Sequence, residues 1–266
     1  MTFLDRVIRE KRREVAAGRR TRRVNDLECR ASERPTRDFL RAISGGCKVI
    51  AEIKGKSPAA PVFRHSGDVE RLAAIYESNG ASAISIVTDE RNFGTCLRDV
   101  DRIRRVSSLP VLVKDFVIDA HQVMEARAAG ADAILLIARI LQEDLFASMF
   151  DLAGRLGMSV LVECHHEEDV AKAAAVGALI VGINNRDLRT LNVSLETTRN
   201  LVSRVPEEAL CVSESGIVAR EEIELLASLG VDAFLIGSAL LNSAEPDRTL
   251  RRLTGLEPER SGGEAA

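Results

Sequence analysis

The sequence places this chain in the α/β class, as a (β/α)8 TIM barrel with an N-terminal helical extension. Three observations predict that architecture. Short apolar runs recur eight times, with longer, helically spaced segments between them, the alternation expected of parallel strands and crossover helices. The 266 residues match one barrel of about 250 residues without calling for a second domain. Finally, apolar runs stop on polar side chains: Pro110-Val111-Leu112-Val113 gives way to Lys114-Asp115-Phe116, and five other runs end in the same manner. In a closed parallel sheet all those ends share one rim, so reactive groups distant in sequence converge there.

Residues 1–46 are expected to form a helical extension packed on the barrel. It comprises a basic helix, a polar break and a short segment, Asp38-Phe39-Leu40-Arg41-Ala42-Ile43, closed by Gly45-Gly46. Residues 47–256 are expected to form a catalytic barrel. Its candidate strands are Val49-Ile53, Ala83-Val87, Val111-Val113, Ala133-Ile137, Val160-Val162, Leu179-Ile183, Leu210-Val212 and Ala233-Ile236. Helical spacing appears between them, for example over Val69 to Ser78, Ala120 to Ala129, Glu167 to Val176 and Ala219 to Leu229. Several of these segments close on Gly, as in Ala129-Gly130-Ala131 and Leu229-Gly230-Val231, where glycine accepts the left-handed conformation that ends a helix. An open doubly wound sheet would alternate in the same way, but no G-x-G-x-x-G follows the first strand, and eight units favour closure. The tail, 257–266, has nothing to bury and is expected to be disordered.

Composition narrows the function. Aromatic residues make up 3% of the chain and Trp is absent, so the core must be aliphatic. A net charge of −3 argues against nucleic acid as the main partner. Between Arg6 and Arg23 the charge is strongly basic, and this stretch reads as a solvated amphipathic helix striped by Leu4, Val7, Ile8 and Val15, with an anionic ligand or partner as the alternative. Five widely spaced cysteines without a C-x-x-C pair give neither a zinc site nor a disulfide framework. No apolar stretch reaches the roughly eighteen residues of a membrane span and no signal-peptide core is present, so a cytoplasmic location is expected.

The candidate chemistry sits at the strand ends. Glu52 and Lys54, two apart, share one face of the first strand, where an acid and an ammonium can exchange protons or simply pair. Lys114 suits a general acid with a pKa lowered by burial and neighbouring cations, a Schiff-base amine, or a phosphate-binding charge. Glu163 ends the fifth strand in the same way. Gly182-Ile183-Asn184-Asn185-Arg186-Asp187 closes the sixth strand with amide and guanidinium donors. Ser213-Glu214-Ser215-Gly216 after the seventh strand and Ile236-Gly237-Ser238 after the eighth lie where barrels commonly bind phosphate. The adjacent pair His165-His166 is a poor metal site, since neighbours on an extended chain point apart, and reads as loop.

With these residues in view, the chain resembles the indole-3-glycerol phosphate synthase family from Phe3 to about Leu241. The likeness is carried by Ile50-Ala51-Glu52-Ile53-Lys54 with Lys56-Ser57-Pro58, Thr88-Asp89-Glu90 with Phe93-Gly94, and Val113-Lys114-Asp115-Phe116. It continues through Ala131 to Ile137, Leu161-Val162-Glu163, Gly182 to Leu188, Ser213 to Ile217 and Phe234 to Ser238. The resemblance implies ring closure of 1-(2-carboxyphenylamino)-1-deoxyribulose 5-phosphate with loss of carbon dioxide and water, as a step of tryptophan biosynthesis. It assigns Lys114 to protonating the ketone oxygen, Lys54 and Glu163 to further proton transfers, and Glu52 and Asn184 to orienting substrate and lysines. It makes Lys56, Ser57, Phe93, Leu135 and Arg186 substrate-binding residues, and Ser215, Gly216, Gly237 and Ser238 the phosphate cradle. No cofactor or metal is implied, because the carbonyl is itself the electron sink. The implied partner is a small phosphorylated substrate, with the protein a monomer or weak oligomer open to association with other enzymes of the pathway.

One departure stands out. Members of the family usually continue Ser-Pro-Ser with a nearby Gly, whereas this chain reads Ser57-Pro58-Ala59-Ala60-Pro61, a stiffer loop at the barrel mouth. It leaves a paralogue acting on a modified anthranilate as one alternative; a non-catalytic sugar-phosphate-binding barrel is another. Retention of Glu52, Lys54, Lys114 and Glu163 argues against the latter.

Overall fold

Eight parallel strands close on themselves in chain order, β1 pairing with both β2 and β8. The strands are β1 (Lys48–Ile53), β2 (Ala83–Val87), β3 (Val111–Lys114), β4 (Ala133–Ile137), β5 (Ser159–Cys164), β6 (Ile180–Asn184), β7 (Leu210–Glu214) and β8 (Ala233–Ile236). Ahead of them lie α1 (Phe3–Thr21), α2 (Val24–Ser32) and α3 (Phe39–Ala42). Between and after the strands come α4 (Val69–Ser78), α5 (Glu90–Phe93), α6 (Asp99–Val106), α7 (Ala120–Ala129), α8 (Glu143–Arg155), α9 (Glu167–Ala175), α10 (Glu196–Leu201), α11 (Arg220–Ser228), α12 (Ser238–Asn242) and α13 (Pro246–Thr254). The structure, a computed structural model, describes residues 2–58 and 62–256. The expected disordered tail and the Ala59-Ala60-Pro61 departure lie outside the described residues.

Side chains alternate along each strand between two packed layers. Val49, Ala51 and Ile53 of β1 face outward into a cluster with Leu72 and Tyr76 of α4, while Ile50 faces the barrel interior with Leu112, Leu135, Leu161 and Val212. Burial of each Val, Leu or Ile side chain among them contributes about 1.5–3 kcal/mol. Interior and shell are almost wholly aliphatic, as the scarcity of aromatics requires. The strands run one or two residues past the apolar runs in β3, β5, β6 and β7, so that Lys114, Cys164, Asn184 and Glu214 belong to the sheet itself.

Different parts of the extension pack against the two ends of the barrel. At the amino ends, Phe39 and Ile43 around α3 join the interior cluster, and the backbone N–H of Arg37 donates to Asp132 Oδ1 at 2.8 Å. Asp132, which directly precedes β4, also accepts from Arg104 and from the N–H of Val111, both at 2.8 Å. At the carboxyl ends α1 lies beside β2 and β3. Thr2 and Asp5 cap it reciprocally, Phe3 meets Phe116 edge to face at 6.4 Å, and Arg19 pairs with Asp119 at 2.7 Å. The basic helix is therefore only partly the solvated face that its composition suggests: Lys11 is buried between Val7 and Val15.

Candidate active site

A cavity of about 450 Å3 opens at the carboxyl ends of the strands. Glu52 and Lys54 reach it from β1, Lys114 from β3, Leu135 from β4, Glu163 from β5 and Asn184 from β6. Phe93, Arg186, Ser215, Gly216, Gly237 and Ser238 line it from the connecting segments. Lys56 and Ser57 are not among its lining. Lys56 lies in the loop after β1, its backbone N–H donating to the carbonyl of Phe93 at 3.0 Å.

The polar groups at the cavity floor are held by one another. Lys54, directly after β1, pairs with Glu52 within it. The ammonium of Lys114 donates to Glu163 Oε2 at 2.7 Å and to Glu214 Oε2 at 2.8 Å, bridging carboxylates from β5 and β7. Glu214 is the site residue that sequence reasoning missed as a side chain, since its stretch was read as a phosphate-binding loop. It stands two residues past the inward-facing Val212, a spacing that carries it to the same face.

Two glycines leave the space these acids occupy. A Cβ on Gly182 of β6 would collide with the Glu214 carboxylate, and one on Gly237 would collide with that of Glu52. A side chain at either position would force the neighbouring carboxylate to shift.

The electrostatics differ from the expectation of a lowered lysine pKa. Burial does work against the Lys114 ammonium, but Glu163, Glu214 and Glu52 outweigh it and raise its pKa, so the resting side chain is fully protonated. The two acids that share Lys114 separate. Burial opposes the charged form of Glu163, yet Lys114, His165 and the amide of Asn184 prevail and hold its pKa below the usual carboxylate value. Glu214 is pushed up to about 7 by burial and by repulsion from Glu163 and Glu52, with Lys114 only partly offsetting them. Pairs of acids driven apart by their surroundings are what acid–base chemistry near neutrality requires.

The loop after β7 is built for backbone donors. Ser215 takes a left-handed conformation, φ 67°, and Asn185 pins the turn by donating to the Ser215 carbonyl at 3.0 Å and to Ser213 Oγ at 3.1 Å. Asn185 Oδ1 in turn accepts from Thr198 Oγ1 at 2.9 Å. Behind β3, Lys11 of α1 reaches Asp115 Oδ1 at 2.9 Å, and Thr88 Oγ1 donates to the other oxygen of Asp115 at 2.9 Å. Burial raises the Asp115 pKa even beside Lys11, while Asp115, Asp89 and Glu14 together raise that of Lys11. Next after Cys164, His165 is buried rather than an exposed loop residue. Among the described residues no cluster of His, Cys, Asp and Glu is arranged to hold a metal, and no helix is long and apolar enough to cross a membrane.

Solved structures share the architecture at low identity. A thiamine phosphate pyrophosphorylase from Pyrococcus furiosus aligns with a TM-score of 0.60 and 19% identity, covering 82% of this chain and 96% of its own. A chain of the tryptophan synthase α2β2 complex, also from Pyrococcus furiosus, aligns at 0.59 and 16%, covering 80% and 99%. At such identities these matches speak for the fold alone. Sequence relatives say more. Indole-3-glycerol phosphate synthases from Burkholderia ambifaria and Burkholderia vietnamiensis are each 40% identical over 256 residues, spanning 94% of this chain and 98% of theirs. The family model for indole-3-glycerol phosphate synthase matches residues 4–253. With a match that spans nearly the whole chain and relatives at this identity, the chain belongs to the indole-3-glycerol phosphate synthase family.

Proposed function

We propose that this barrel closes the indole ring of 1-(2-carboxyphenylamino)-1-deoxyribulose 5-phosphate, releasing carbon dioxide and water, with Lys114 as the acid of the first step. The observation that carries the proposal is the Lys114 ammonium, held between Glu163 and Glu214 on the floor of the cavity. Family membership supplies the substrate.

The chemistry needs a proton at the ketone oxygen as the ring carbon bearing the carboxylate attacks the ketone carbon. Three nearby carboxylates keep Lys114 loaded with that proton. As Glu214 gains a proton near neutrality, one of those charges disappears and Lys114 gives up its own more readily. Loss of carbon dioxide returns the bonding electrons to the ring. Departure of the hydroxyl as water, with removal of a proton, then completes the indole. Glu163, kept ionised, suits the removal of a proton, and Lys54, paired with Glu52, is a second ammonium within the same floor. Asn184 orients these groups. The apolar walls at Phe93 and Leu135 suit the anthranilate ring, and Arg186 its carboxylate. The backbone around Ser215, Gly216, Gly237 and Ser238 offers N–H donors to the phosphate at the opposite side. Lys56 and Ser57 are assigned to the loop over the mouth.

The direct test is to add the carboxyphenylamino deoxyribulose phosphate to purified protein and follow indole absorbance. Stoichiometric appearance of the indole product supports the proposal. Tight binding without turnover would replace it with a sugar-phosphate-binding barrel.

A further inference from the structure

Glu163 Oε2 is engaged by Lys114, but its other oxygen, Oε1, is buried and has no hydrogen-bond partner. The ring of His165 approaches it, with Nε2 3.6 Å away. Glu163 lies in β5 and His165 directly follows its last residue, Cys164, and the 3.6 Å approach shows both side chains turned to one side. His165 is 5% exposed, and neither of its ring nitrogens has a partner. Two unpaired buried groups facing each other, one able to donate and the other only to accept, are a hydrogen bond short by a small displacement. A shift of about 0.7 Å brings them to ordinary length.

The backbone around the ring is fixed. The N–H of His165 donates to Asp169 Oδ2 at 2.9 Å, and that of His166 to the same oxygen at 3.2 Å, so the start of α9 holds the turn. The charged groups around the ring are Glu163 on β5, Asp169 on α9, Arg139 in the turn after β4, and Lys114 on β3. Burial, together with Arg139 and Lys114, drives the imidazole toward its neutral form against the pull of Glu163 and Asp169. A neutral ring has one donor and one acceptor. Facing a carboxylate oxygen, Nε2 must be the donor. Nδ1 is then the acceptor.

We propose that neutral His165 is a positioning residue for Glu163, donating through Nε2–H to the carboxylate oxygen that Lys114 leaves free and so keeping Glu163 ionised and aligned as a base. The inference deepens the ring-closure reading and rests on it for the role of Glu163, though not for the contact itself.

The test is titration of the Glu163 carboxylate by carbon-13 NMR, with the resonance assigned through Glu163→Gln, in the wild-type protein, His165→Leu and His165→Asn. Loss of the donor in His165→Leu should raise the Glu163 midpoint by about one pH unit, a tenfold change in its proton affinity. His165→Asn, which can still donate, should stay near wild type. In turnover, His165→Leu should lose kcat most at acid pH, with KM little changed. Coincident midpoints in the wild-type and His165→Leu proteins would overturn the proposal. Should His165→Leu fail to fold, nitrogen-15 NMR of the wild-type histidines decides the matter. A neutral ring protonated at Nε2 at pH 7 supports the contact, and an imidazolium or an Nδ1–H tautomer overturns it. Both NMR readouts are independent of turnover, so an inactive wild-type protein would sink the ring-closure reading without deciding this one.

Discussion

Lys114 and Glu214 meet at 2.8 Å although 100 residues separate them in the chain, and burial moves the Glu214 pKa up to about 7. Because the folded-state value lies above the ordinary 4.5, the associated stability is present in full below that value and is lost as pH rises through about 7. The Glu163 contribution has the opposite sign: it is present in full above the ordinary 4.5 and is lost as pH falls from there through its lowered value. Urea unfolding from about pH 5 to about pH 8 should therefore show wild-type stability falling by on the order of 3 kcal/mol relative to Glu214→Gln. Parallel curves for the two proteins would remove the assignment. Turnover of Glu214→Gln, whose amide mimics the protonated acid, should lose the dependence on pH near 7 that Glu214 imposes.

Lys114→Ala should abolish indole formation, a loss of at least about 10²–10⁴-fold, while the circular dichroism spectrum stays that of the wild type. Near-normal turnover in this variant would mean that another group protonates the ketone.

Lys11→Met strips Asp115 of its buried cation. Destabilisation of about 3–5 kcal/mol is expected, read as a shifted denaturant midpoint, because the carboxylate is left uncompensated. Adding Asp115→Asn should restore most of the loss. Simple additivity of the two substitutions would show that they are not coupled.

Gly182→Ala should cost about 1–3 kcal/mol through its collision with Glu214, and kcat should drop with it. Gly154→Ala is the control: it lies in α8 with open space where a Cβ would go, and alanine there should be neutral or stabilising by up to about 1 kcal/mol. Thermal melts and steady-state rates of the two variants check both outcomes.

The architecture was legible because its signals are local. Apolar runs gave β2, β4 and β8 at their full observed lengths, and helical spacing gave α4 and α7 likewise. Runs that end on polar residues were read short: β7 continues through Ser213 to Glu214, whose side chain lies among other charges and not in oil. Lys114, Glu163 and the Glu52–Lys54 pair were recognisable as polar residues closing apolar strands. Three other residues required the third dimension. Lys11 was hidden among the many basic residues of α1, though it sits four residues from both Val7 and Val15 on the buried stripe. Glu214 was masked by the Ser-Gly that follows it. His165 was weighed only with His166 as a metal pair, whereas its ring approaches Glu163. The raised pKa of Lys114 was likewise beyond the sequence, since it depends on three acids from three different strands.

The floor of the cavity carries two ammonium groups, from Lys54 and Lys114, and the carboxyl groups of Glu52 and Glu163, with that of Glu214 buried against Lys114. A ligand bearing both a phosphate and a carboxylate adds negative charge to a place already short of positive charge. The acid nearest neutrality answers by taking a hydrogen ion from the solvent, so occupancy and protonation become one linked event and affinity weakens as the medium turns alkaline.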